Sequence, residues 1–169
     1  MKNIKSFIAV FSLVFAFALS ASAQNVVFTS IEGEKIDIQS QKGNVVVMAI
    51  GATWLPLSKN QSDAINKLAK KYAGRDVVFY FIATDSASAR SRNFASDEQL
   101  RTFVSNNKLS VNVLRDSEGT VSRTAFNIDQ LPAFIVLDKE GKLATKPFSG
   151  IDPKNDISIP ISQAIDSLL

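Results

Sequence analysis

Ser58 and Lys59 come closest to a nucleophile–base pair in this sequence, and Asp63, Asp85 and Asp129 are its candidates for acid–base work. A serine hydroxyl attacks a carbonyl only when a base within hydrogen-bond reach takes its proton. Adjacent helical residues point in different directions, so Lys59 is a poor base for Ser58. No spacing among the three aspartates brings a pair together. The 169 residues include no Cys and no His. Thiolate nucleophiles, imidazole acid–base catalysis and the usual N/S zinc sites therefore have no residues to carry them. No catalytic residue, metal or cofactor is expected, and an enzyme of non-redox type remains an alternative.

The segment Gly51-Ala52-Thr53-Trp54-Leu55-Pro56-Leu57-Ser58-Lys59 follows the apolar run Val45–Ile50 and leads into a helical pattern. It resembles the active-site segment of exported thioredoxin-like thiol-disulfide oxidoreductases of the TlpA/ResA type, which reads roughly W-A-T-W-C-x-P-C-[RK]. Ala52, Thr53, Trp54 and Lys59 match, Leu55 and Ser58 stand at the two cysteine positions, and Pro56 lies one place before the family's proline. A second match is Leu131-Pro132 entering a β-branched strand, followed by Asp138-Lys139-Glu140-Gly141, which looks like the family's cis-proline segment and hairpin.

In that family the first cysteine sits at a helix start, where the dipole and free N–H groups stabilise its thiolate, and the second resolves the mixed disulfide. Leucine at 55 ends that mechanism. Ser58 has two structural readings. It fits an S-x-x-Q capping box with Gln61, whereas the family geometry starts the helix nearer 55 and places Ser58 inside its first turn.

The resemblance implies a groove that holds an extended peptide. Here Trp54, Leu55, Pro56, Leu57 and Ser58 would line it beside Leu131 and Pro132. A contiguous apolar patch at the surface marks an interaction site. The alternative is that Trp54 and Leu57 pack inward and Leu55 fills space left after activity was lost. The expected role is that of a redox-inactive binding or accessory domain for an extended peptide or partner protein. A structural subunit of an envelope complex is the further alternative.

Lys2 and Lys5, the apolar stretch Phe7–Leu19 and Ala21-Ser22-Ala23 form a signal-peptide pattern over residues 1–23. That stretch is shorter than the roughly 20 residues of a membrane span, so no stable span is expected after cleavage. The mature domain would cover residues 24–169, about 146 residues, one domain of ordinary size. Export is implied, periplasmic or secreted. Without Lys2 and Lys5 the 19 basic residues become 17 against 16 acidic ones. Such a near-neutral chain gives no electrostatic footprint for nucleic acid.

The elements that must position the corner follow from periodicity. Val26–Thr29 and Lys35–Ile38 read as short strands around a turn at Glu32-Gly33-Glu34. Val45–Ile50 and Val77–Ala83 read as central strands apolar on both faces. Ile65, Leu68, Ala69 and Tyr72 mark an amphipathic helix closed by Gly74. Thr84–Ala95 reads as a solvated loop whose Arg90 and Arg92 could bind an anion. Ser96 with Gln99 opens a second helix, Val113–Asp116 is a short strand, and Val121–Phe126 is a short helix. A strand over Lys142–Phe148 and a C-terminal helix through Ile161, Ala164, Ile165 and Leu168 complete the chain, with Pro160 in that helix's first turn. Alternating strands and helices ending in a hairpin and helix predict an α/β fold. It is a thioredoxin-like three-layer α/β/α sandwich with a mixed central sheet and an N-terminal β extension.

Overall fold

The computed structural model describes residues 26–169, so the signal peptide expected over 1–23 lies outside the described residues. Seven strands form one sheet: β1 (Val27–Ser30), β2 (Lys35–Asp37), β3 (Val45–Gly51), β4 (Val77–Ala83), β5 (Asn112–Arg115), β6 (Ala133–Leu137) and β7 (Phe148–Ser149). Their order across the sheet is β2-β1-β5-β4-β3-β6-β7. β3, β4 and β5 run parallel, while β6 pairs antiparallel with β3 and β1 pairs antiparallel with β5. The N-terminal hairpin thus extends one edge.

Four helices cover the faces: α1 (Ser58–Lys71), α2 (Asp97–Asn106), α3 (Thr120–Phe126) and α4 (Ser158–Asp166). Side chains alternate across a strand, and β3 divides accordingly. Val45, Val47 and Ala49 join Ile65, Leu68, Leu100, Ile161 and Ile165 on one side. Val46, Met48 and Ile50 join Ile38 and Phe126 on the other. Both faces are covered, which is why the run carries no polar residue.

Local chemistry fixes the ends. Ser96 and Gln99 exchange the two hydrogen bonds of a capping box at the start of α2, which satisfies N–H groups that the helix cannot. Pro160 falls in the first turn of α4, where no N–H is required. The strand expected over Lys142–Phe148 contracts to Phe148–Ser149, with an isolated bridge between Leu137 and Leu143. Pro147 within that stretch has no N–H to give a ladder.

Of the two readings of Ser58, the capping box is corrected: α1 begins at Ser58 with Leu57 at the N-cap and no side-chain cap bond, so Ser58 lies in the helix's first turn, although the helix starts later than position 55. Gln61 does not reach back to the helix start. It is fully buried, and its Nε2 donates to the carbonyls of Ile50 (3.0 Å) and Ala133 (2.9 Å), tying α1 to β3 and β6. Gly51 makes room for it, since a Cβ there would stand 2.2 Å from Gln61 Oε1.

Candidate functional site

β3 ends at Gly51 and β4 at Ala83, side by side and parallel, and β6 enters the sheet at Ala133 opposite Ile50. The turn after β3, the loop after β4 and the chain leading into β6 therefore emerge at one end of the sheet. The crevice outside the carboxyl ends of parallel strands is where open α/β sheets bind ligands.

Ala52–Leu57 forms that turn. The Leu55 N–H donates to Ala52 O, and the Ser58 N–H donates to Leu55 O. The Ser58 hydroxyl donates to the carbonyls of Ala52 and Leu55 (2.8 Å for the latter). Ser58 is buried, so its oxygen serves the backbone of the turn. The turn is anchored from the other side by Asp85, which is 1% exposed. Its two carboxylate oxygens accept from the Thr53 N–H at 3.1 and 3.0 Å, and Oδ1 accepts from the Thr53 hydroxyl at 2.6 Å. The Thr84 N–H and hydroxyl both donate to Gly51 O. Thr53-Trp54 is thus held against the first residues of the β4 loop.

Trp54 projects from this anchored turn and is 52% exposed. Pro56 beside it is exposed, Leu55 is half-buried, and Leu57 is half-buried with its side chain packed on the core. The Leu131–Pro132 peptide is cis; Pro132 is buried and Leu131 half-buried. Trp54, Leu55 and Leu131 line a cleft of about 300 Å³. Pro56, Leu57, Ser58 and Pro132 do not line it; Leu57 packs on the core, and Ser58 and Pro132 are buried.

The remaining lining is polar, and sequence reading did not find most of it. Thr84, Asn93, Glu118, Arg123, Asp129 and Gln130 face the same space, with Ile128. Arg123 belongs to α3, and Gly119 at the start of α3 takes the left-handed backbone (φ 65°) that favours glycine. Left-handed backbone at Glu118 (φ 65°) and Asn127 (φ 52°) brackets α3. Glutamate is costly there, and such strain gathers at ligand clamps and functional turns. Of the three aspartates considered from sequence, Asp85 holds Thr53, Asp63 pairs with Lys59 on exposed α1, and only Asp129 lines the cleft.

A second depression of about 330 Å³ lies on α1 and the loop before α4. Lys67 and Asp156 pair within it, so its charges are partly matched already. Among the described residues no cluster of His, Cys, Asp and Glu could hold a metal ion, and no helix is long and apolar enough to cross a membrane.

The mixed open sheet, its helical layers and the corner beside the proline loop define a thioredoxin-like α/β protein. Structural neighbours share that fold. A thioredoxin-like protein from Aeropyrum pernix matches with a TM-score of 0.67 at 19% identity over 85% of this chain and 89% of its own. A secreted disulfide oxidoreductase of Mycobacterium tuberculosis matches with a TM-score of 0.62 at 21% identity over 84% and 95%. The chain belongs to the AhpC/TSA family, whose model matches residues 19–146. It is similar to the thiol-disulfide oxidoreductase ResA of Bacillus cereus, 26% identical over 76% of this chain and 68% of that protein. It is also similar to the thioredoxin-like protein YneN of Bacillus subtilis, 30% identical over 66% of this chain and 61% of that protein. The alignments thus span roughly two thirds of these relatives' lengths. Within this family the chain lacks the thiol pair altogether. Thiol–disulfide exchange through its own side chains is chemically excluded.

Proposed function

We propose that this protein is an exported, redox-inactive thioredoxin-like binding module that takes an extended peptide or partner protein at the corner made by Trp54, Leu55 and Leu131. The observation that carries the reading is a half-exposed tryptophan on a turn anchored by Asp85, opening onto a cleft, in a chain without a thiol. A large aromatic left in water on a rigid support is a typical anchor for a partner surface. The signal-peptide pattern at residues 1–23 and the secreted relative support export, to the periplasm or beyond the cell. Pro56 flanks the anchor, and Leu57, Ser58 and Pro132 act as its support.

The test uses Trp54 itself, the single tryptophan of the sequence. Extended peptides from exported proteins of the host are titrated into the mature protein while its emission is followed. Binding is expected, and Leu55→Asp weakens it without unfolding the domain. Saturable binding unaffected by Leu55→Asp removes the corner from the interaction.

A further inference from the structure

β2 forms one edge of the sheet, and among the described residues no strand pairs with its outer side. Its pairing with β1 fixes which backbone groups face outward. The Ser30 N–H donates to Glu34 O at 2.7 Å, and the Ile38 N–H donates to Val26 O at 2.9 Å. In an antiparallel pair, residues that exchange such bonds alternate with residues that do not. Glu34, Ile36 and Ile38 therefore turn their backbone groups toward β1. Lys35 and Asp37, opposite Thr29 and Val27, turn theirs away from the sheet. The Asp37 carbonyl accepts from the Ser40 hydroxyl at 2.6 Å and keeps a second lone pair.

The side chains of the same strand alternate between faces. Ile36 is half-buried and packs on the cluster that holds Phe28. Lys35 and Asp37 point to the opposite face, beside exposed Thr29 and Val27. Neither Lys35 nor Asp37 is in an ion pair among the described residues. Asp37 commits only Oδ1, which accepts from the Gln39 N–H at 2.9 Å.

An open strand edge is a template for another strand, and this one is complementary to itself. We propose that a second copy of the chain pairs with it, β2 against β2, antiparallel about a two-fold axis at Ile36. Lys35 then stands opposite the partner's Asp37, and Asp37 opposite the partner's Lys35, with the outward N–H and C=O groups of each pair exchanged. The apolar stem of Lys35 reaches across the partner's Asp37 toward its exposed Val27. Other registers are repelled. An axis at Lys35 sets Lys against Lys, an axis at Asp37 sets Asp against Asp, and a parallel in-register pair does both. The charges that discourage a foreign strand thus select a copy of the same one. The contact is isologous and closes at two chains. Each edge offers three residues, so the buried area falls below that of a standard interface and the dimer is weak and reversible. β1, β5 and β4 stand between this edge and β3, whose end carries the Trp54 turn. The dimer therefore holds whether or not that corner takes a peptide.

The chain has no cysteine, so a single introduced thiol forms a disulfide only with a second copy. At the axis the two Ile36 residues face each other in a non-hydrogen-bonded pair, with Cα atoms about 4.5 Å apart, within the range a disulfide spans. The mature protein carrying Ile36→Cys is oxidised mildly beside one carrying Thr29→Cys, which is more exposed and one strand inward. Random collision favours the exposed thiol, whereas the proposed register makes Ile36→Cys cross-link about tenfold faster. Sedimentation of the parent from about 10 µM to about 1 mM shows the mass rising toward a dimer. Lys35→Glu weakens that association at least about fivefold, and mixing it with Asp37→Lys restores it, because the mixed pair alone opposes unlike charges. Thermal melts confirm that each variant is folded; if Ile36→Cys is not, Lys35→Glu decides alone. Association unchanged by Lys35→Glu assigns the dimer to another surface and overturns the pairing. Equal cross-linking of the two thiols, or a mass that stays monomeric throughout, leaves the edge to a strand of other sequence or to water and overturns it as well.

Discussion

Replacing Asp85 with alanine should loosen the whole corner that presents Trp54. Asp85 is buried, and among the described residues every hydrogen bond to its carboxylate comes from Thr53, one N–H shared between both oxygens and one hydroxyl at 2.6 Å. A hydrogen bond to a charged acceptor contributes about 1.5–3 kcal/mol net, so losing two donors' partner removes on the order of 3–6 kcal/mol. Two effects offset this. The variant no longer buries a carboxylate, which relieves a desolvation penalty of several kcal/mol, and half-buried Thr53 regains water. The expected net loss is about 2 kcal/mol, a Tm lower by about 4–8 °C for a domain of this size. Urea denaturation followed by far-UV circular dichroism measures the loss, and native-state Trp54 emission shifts to the red as the turn opens to water. A double-mutant cycle with Thr53→Val should return a coupling of about 1 kcal/mol or more, because the two side chains form one interaction. Stability of Asp85→Ala within about 0.5 kcal/mol of the parent, or strict additivity with Thr53→Val, would refute the clamp.

Two further outcomes are expected. Leu55→Cys with Ser58→Cys should form an internal disulfide on oxidation, with both thiols lost to Ellman's reagent in a monomer. The Ser58 N–H to Leu55 O bond of 3.1 Å closes a turn that brings the two Cα atoms within the roughly 7 Å a disulfide needs, and persistence of two free thiols in the folded variant counts against that placement. The carboxyl of Asp156 is lowered to about 2, first by its hydrogen bond from Lys67 and then by those from the Ser158 hydroxyl and N–H. A lowered folded-state value means stability that is present above the ordinary value of 3.8 and lost as pH falls toward 2. The group is largely exposed, so solvent screening keeps the effect small. Asp156→Asn should flatten the acid limb of the stability curve between about pH 4 and 2, and an unchanged limb rejects the assignment.

Most of the fold was legible because its cause is local. An apolar run without a polar residue specifies a strand covered on both faces, and Val45–Gly51 is one. Ser96 and Gln99 lie three residues apart, so the capping box of α2 can be read before any tertiary contact exists. Lys142–Phe148 reads as an edge strand from its place after the Asp138–Gly141 hairpin, but Pro147 has no N–H for a ladder and the paired strand is confined to Phe148–Ser149. The capping-box reading of Ser58 and Gln61 fails because both side chains bond elsewhere: Ser58 to the carbonyls of Ala52 and Leu55 within its own turn, and Gln61 to those of Ile50 and Ala133 in the sheet.

By itself, the sequence decided what this protein cannot do, since a chain without cysteine has no thiol wherever its residues fall in space. It also pointed to the corner, because Trp54 to Lys59 and Leu131-Pro132 are short contiguous patterns. Tertiary structure alone decided what surrounds that corner. Asp85 lies 32 residues from Thr53, and Arg123, Glu118 and Asp129 come from the excursion around α3. They meet Trp54 only because parallel β3 and β4 and antiparallel β6 deliver their ends to one edge of the sheet. Charged residues on loops carry no periodicity, so pairing between distant strands is the physical event that gives them a common address.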